Sequence, residues 1–155
     1  MKPTKILLMA FAFTAGASML IAFSSKGPHA AGPGPKDQMI ADWERAKAYT
    51  QEYINAATDE VIGFKPTPEM RTFGQQMLHL SEANYGLGAA ASGKPSPVTW
   101  GQLEKNPDQY KTKEALSKAV MDSYDFVIAS LKATDEAKMG DMVKVFNFDL
   151  SRALT

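Results

Sequence analysis

An all-α fold, a bundle of four amphipathic helices, is what this 155-residue sequence predicts. Three observations lead there. Apolar residues recur at three- and four-residue steps in four successive segments, proline and glycine clusters separate those segments, and no stretch alternates apolar and polar residues over more than a few positions. The chain has no cysteine, so its stability comes without disulfides.

The first 24 residues read as an export signal rather than as part of the fold. Lys2 and Lys5 form a basic flank, and Ile6 to Phe23 is an uncharged run rich in Leu, Met, Ala and Phe. Ala22 and Ser24 suit cleavage after Ser24. Ala15-Gly16-Ala17 offers an earlier point, and an uncleaved anchor over residues 6–23 is the alternative, because the run reaches the lower limit for a membrane span. With no thiol to acylate, lipoprotein anchoring is excluded. Residues 25–36, rich in Pro and Gly, are expected to be a flexible tether, and residues 37–155 one domain with one core.

In that domain the first helix is expected from about Lys36 to Thr58. Met39, Ile40, Trp43, Ala46, Thr50, Tyr53, Ile54 and Ala57 make its apolar side. Gly63 and Lys65-Pro66-Thr67-Pro68 end it. The second helix has two candidate starts. Thr67 followed by Pro68 is one, and Thr72 with Gln75 three residues on, a capping box, is the preferred one. Its stripe is Phe73, Met77, Leu80, Asn84 and Leu87, with Leu78 beside it, ending near Ser92-Gly93.

Residues 94–110 form a connection longer than a tight helical hairpin requires, with Trp100 and Leu103 expected to cap the core. Thr112 caps a third helix whose face is Leu116, Ala119, Val120, Ser123, Phe126, Val127 and Leu131. From Thr134 a last helix is expected, carried by Met139, Met142, Val143, Phe146, Leu150, Ala153 and Leu154 and still running at Thr155.

Composition narrows the function. Lys+Arg and Asp+Glu are 17 each, and loss of residues 1–24 leaves an excess of two acids. A nucleic-acid role would need a basic face, and the lysines are instead spread evenly along the sequence, so no nucleic-acid partner is expected. Membrane association is expected only through an uncleaved N-terminal segment, and a homodimer is allowed. Hydrolase-type nucleophilic chemistry lacks its parts: there is no thiol, no second histidine in the domain to activate a serine, and no glycine-rich loop after a strand.

His79 is the one histidine in a predicted helix, the other being His29 in the tether. An imidazole late in an apolar helix is a candidate metal ligand facing a bundle interior. Glu82, three residues on, shares its side of the helix. One imidazole is too few for zinc, and Glu82, Asp122, Asp125 and Asp149 complete a sphere only where packing turns them inward. The commoner meaning of such a histidine is a hydrogen-bonded interior or groove side chain. Met39, Met70, Met77, Met139 and Met142 read as core filling rather than a soft-metal site, and Trp43, Tyr49, Tyr53, Tyr85 and Tyr124 as packing.

A Trp-containing first helix, the Phe64-Lys65-Pro66 turn, Arg71-Thr72-Phe73-Gly74 leading into Met77-Leu78-His79-Leu80-Ser81-Glu82-Ala83, and then Gly93-Lys94-Pro95 occur in an order that resembles the DinB-like superfamily. The resemblance runs from about Asp37 to the end. It implies an up-and-down four-helix bundle and a divalent metal, commonly nickel or zinc, held by one histidine of the second helix and two, a turn apart, on the last. His79 matches the first position and nothing matches the pair. The expectation is an incomplete site in a last helix truncated ahead of the pair. Two functions follow from the resemblance: an exported domain of unassigned activity with His79 structural, or a metal-dependent thiol transferase or hydrolase-like enzyme with His79 as ligand.

Overall fold

The computed structural model describes residues 34–154; the expected export segment, His29 and most of the tether lie outside them. The element order is α1 (Pro35–Ala56), α2 (Asp59–Gly63), α3 (Phe73–Ser92), α4 (Lys113–Ala133), β1 (Met142–Val145) and β2 (Phe148–Ser151), with single 3-10 turns at Pro107–Tyr110, Glu136–Lys138 and Arg152–Leu154.

α1 opens after Gly34, so Pro35, expected in the tether, is its first residue, one ahead of the expected start at Lys36. Proline at the first helical position has its φ set for the helix and lacks an N–H that would have no partner there. α1 stops at Ala56. Thr58 then caps the five-residue α2 by accepting from the Val61 N–H, an extra turn where the sequence suggested only a break. α3 begins where the capping box placed it. The Thr72 hydroxyl accepts from the Gln75 N–H, the Gln75 side chain accepts from the Thr72 N–H, each at 3.0 Å, and Gly93 closes the helix in the left-handed region at φ 72°.

α1 and α4 are antiparallel. Lys36 Nζ donates to the Lys132 carbonyl, Thr50 Oγ1 bonds Tyr124 Oη at 2.8 Å, and Lys113 Nζ donates to the Asn55 carbonyl. α3 and α4 instead run in the same direction: Asn84 Nδ2 donates to Ser123 Oγ, the rings of Tyr85 and Phe126 lie 5.4 Å apart, and Gly88 faces Phe126 and Val127. This corrects the up-and-down order. The connection after α3 is long because it travels back along that helix before α4 starts. Gly88 permits the close approach, since a Cβ there would sit 3.1 Å from Val127 Cγ2 and 3.3 Å from the Phe126 ring.

The core is built from Ile54, Ala57, Ile62, Leu78, Tyr85, Leu103, Leu116, Val120 and Tyr124. α3 is covered by α4 on one side and by the returning connection on another. Its most buried positions are therefore Gly74, Leu78, Ser81, Glu82, Asn84, Tyr85, Gly88 and Ala89, rather than the Phe73, Met77, Leu80 stripe. Met70 and Met142, expected inside, are exposed, as are Tyr49 and Tyr53.

The largest correction is at the C-terminus. Residues 142–151 form an antiparallel hairpin in which Val145 pairs with Phe148 and Met142 with Ser151, in place of a truncated fourth long helix. Gly140 interrupts helical growth after the short turn at Glu136–Lys138. Beyond it, the valines at 143 and 145 and the leucine at 150 suit a pleated strand as well as a helical stripe. Phe146, at the tip, takes φ 53°, a conformation uncommon for a bulky residue. Val145 is buried, β1 lies against α3, and the Arg152 and Ala153 N–H groups donate to the carbonyls of Asp141 and Met139.

Candidate functional site

The connection between α3 and α4 folds over one face of α3, and the polar groups it brings there are the candidate site. Gly101, at φ 82°, turns the chain in a region that costs other residues roughly 1–2 kcal/mol. The turn aims its N–H groups at Glu82, which is 1 % exposed. Glu82 Oε1 accepts from the Leu103 N–H at 2.7 Å and the Glu104 N–H at 3.0 Å, and Oε2 accepts from the Gly101 N–H at 2.7 Å. A buried carboxylate is expensive unless its lone pairs are filled. Here three backbone donors, which would themselves be stranded by burial, fill them.

His79 lies one turn before Glu82. Its Nδ1 is 3.0 Å from Glu104 Oε2, and its ring meets Trp100 edge-on, with centroids 5.7 Å apart. Trp100 also meets Phe146 edge-on at 5.9 Å, which ties the hairpin tip to the same face. Arg71, just ahead of α3, pairs through Nε with Glu104 Oε1 and through Nη2 with Oε2. The Arg71 hydrogen bond holds the Glu104 carboxyl below the ordinary carboxylate range. Partial burial opposes that shift, while the Arg71 charge and the His79 hydrogen bond add to it. The same hydrogen bond pushes the Arg71 guanidinium up.

His79, Glu82 and Glu104 each offer one ligand atom, and these atoms lie within 4.8 Å of one another, close enough to hold a metal ion by distance. Of the carboxylates named from sequence, only Glu82 reaches this group. Asp122 pairs with Lys118, Asp125 with Lys47 and Asp149 with Lys144. Sequence reasoning missed Glu104, which the connection brings in, and Arg71, which stands just ahead of α3 and meets it there. The available signal was Gly101 beside Trp100 in a connection too long for a hairpin. Trp100 does not cap the core as expected but stays more than half exposed, whereas Leu103 is buried.

A family model described as DinB superfamily matches residues 42–152, and the chain belongs to that superfamily. No curated protein and no solved structure matches the chain.

Proposed function

We propose that this member of the DinB superfamily is an exported, non-catalytic helical domain that acts by binding, in which the ligand position at His79 serves as an internal strut. The observation that carries the reading is that both oxygens of Glu82 are engaged, by the Gly101, Leu103 and Glu104 N–H groups. A metal at these three residues would compete with those amides at Glu82 and with Arg71 at Glu104, and one that approached His79 through Nδ1 would also displace Glu104 there. Metal affinity requires free, deprotonated donors, so the residues present fit tightly bound nickel or zinc poorly.

The Lys2/Lys5 flank and the uncharged run after it support export, and the even spread of the lysines along the sequence supports a partner other than nucleic acid. Two measurements test the reading. Intact mass of the protein recovered from its host should correspond to loss of residues up to about Ser24; a product retaining them in the cytoplasm would remove the export part. Elemental analysis after dialysis against a mild chelator should find no stoichiometric nickel or zinc.

The 4.8 Å clustering of His79, Glu82 and Glu104 favours a second reading, a weak divalent-metal site that forms when Arg71 moves away. Such a site would be the starting point for a metal-dependent thiol transferase or hydrolase-like activity. One metal per chain, lost in His79→Ala, would select this reading over the first.

A further inference from the structure

The other side of α3 carries a cavity that the His79 network does not touch. Its inner chamber, about 60 Å3, has walls of Met39 and Trp43 from α1, Leu87 and Ala91 from α3, and Val127 and Leu131 from α4. Its outer chamber, about 230 Å3, is polar, and Lys94, Lys138 and Arg152 line it together with Asp135. Ser92, Ser130, Thr134 and Arg152 border both chambers, so the two adjoin at these residues.

At the junction one group is left over. Ser130 is 4 % exposed and its Oγ has no hydrogen-bond partner. Its neighbours are committed: Thr134 Oγ1 donates to the Ser130 carbonyl and Ser92 Oγ to the Gly88 carbonyl. Buried hydroxyls are rarely left without a partner, and an exception calls for a specific explanation. The Arg152 guanidinium donates through Nη1 to the Ala91 carbonyl, and its Nε, also without a hydrogen bond, lies 3.8 Å from Asp141 Oδ2. Lys94, Lys138 and Arg152 at the mouth face Asp135, with Asp141 beside Arg152 and the Lys36 ammonium on the Thr134 carbonyl, so cations outnumber anions there.

We propose that this two-chambered cavity binds a small amphiphilic carboxylate, with its short apolar tail against Trp43, Leu87 and Leu131 and its carboxylate at the mouth. The Ser130 hydroxyl donates to the carboxylate, which gives that buried group the partner it lacks. Arg152, Lys94 and Lys138 supply the charge, and the excess of cations suits an anionic head group. The small inner chamber selects a short tail, because a long acyl chain has no room beyond Leu87 and Ala91. This is the arrangement expected of a ligand site, apolar walls with a few convergent polar groups.

The test is calorimetric titration of hexanoate into the full 155-residue chain, with hexanamide as the neutral isostere and dodecanoate as the long-tailed one. Expected are one hexanoate per chain, at least tenfold weaker binding of hexanamide, and no gain for dodecanoate. Arg152→Gln should weaken hexanoate at least tenfold. Because Arg152 also holds the Ala91 carbonyl, the Lys94→Gln/Lys138→Gln double variant is measured beside it, and a threefold or larger weakening is expected with an unchanged unfolding midpoint. Ser130→Ala should weaken hexanoate similarly. Hexanamide binding as tightly as hexanoate, tighter binding of dodecanoate, absence of saturation, or wild-type affinity in both the double variant and Ser130→Ala would overturn the proposal.

Discussion

The two sides of α3 bury polar groups in opposite ways. Toward the returning connection, Glu82 is almost wholly inaccessible and accepts three N–H bonds, while Glu104 is shared between Arg71 and His79. Toward α1 and α4, the Ser130 hydroxyl is equally inaccessible and has no partner. The first side spends its polar groups on holding a loop in place. The second leaves a donor beside a cavity. In the readings proposed above, the charged cluster serves structure and the uncharged serine serves binding.

The comparison breaks most readily at Glu82. Glu82→Ala strands the Gly101, Leu103 and Glu104 N–H groups in a buried place, and an unsatisfied buried group costs about 1–3 kcal/mol, so a loss of about 3 kcal/mol or more is expected. Chemical denaturation measures it, and a loss under about 1 kcal/mol would show that the turn finds other acceptors. Glu104→Gln should have a smaller effect that depends on pH. A carboxyl depressed in the folded state contributes stability that is present above its unfolded pKa and lost as pH falls through the folded one. The difference between wild type and Glu104→Gln should thus be full at neutral pH and vanish on acidification through and below the ordinary carboxylate range. A difference independent of pH would place its origin in packing.

Thr72→Ala removes the cap that starts α3 and should cost about 1 kcal/mol without altering the denaturant slope. An unchanged midpoint would mean that the cap contributes nothing to the frame on which both sides of α3 depend. The smallest effect has the opposite sign. Ser130→Ala removes an unpartnered buried hydroxyl and should raise stability by up to about 1 kcal/mol. Destabilisation there would mean that the hydroxyl already has a partner, and the contrast between the two sides would fade.

Much of this frame was legible in the sequence, for reasons that are local. The capping box of Thr72 and Gln75, the stripe of α4 and the break at Gly63 and the prolines depend on residues within one or two turns of each other. His79 and Glu82 were paired by helical spacing alone. Glu104 is not legible, since no local rule says that a connection of this length returns along α3 and delivers it to His79, and the role of Arg71 depends on that delivery. The C-terminal hairpin is not legible, because Met142, Val143, Phe146 and Leu150 also fit a helical stripe, and β1, with Val145 buried, lies against α3, a contact remote in sequence. The Ser130 cavity left no trace in the pattern, because an orphaned hydroxyl is defined only by what fails to surround it.

The most direct test of the central claim, that the donors near His79 are already taken, is a zinc titration of the wild type and of Arg71→Ala followed by calorimetry. Wild type is expected to bind zinc weakly, and Arg71→Ala at least tenfold more tightly, because Glu104 loses its strongest competitor. Tight binding of one zinc per wild-type chain, unchanged in Arg71→Ala and abolished in His79→Ala, would contradict the claim.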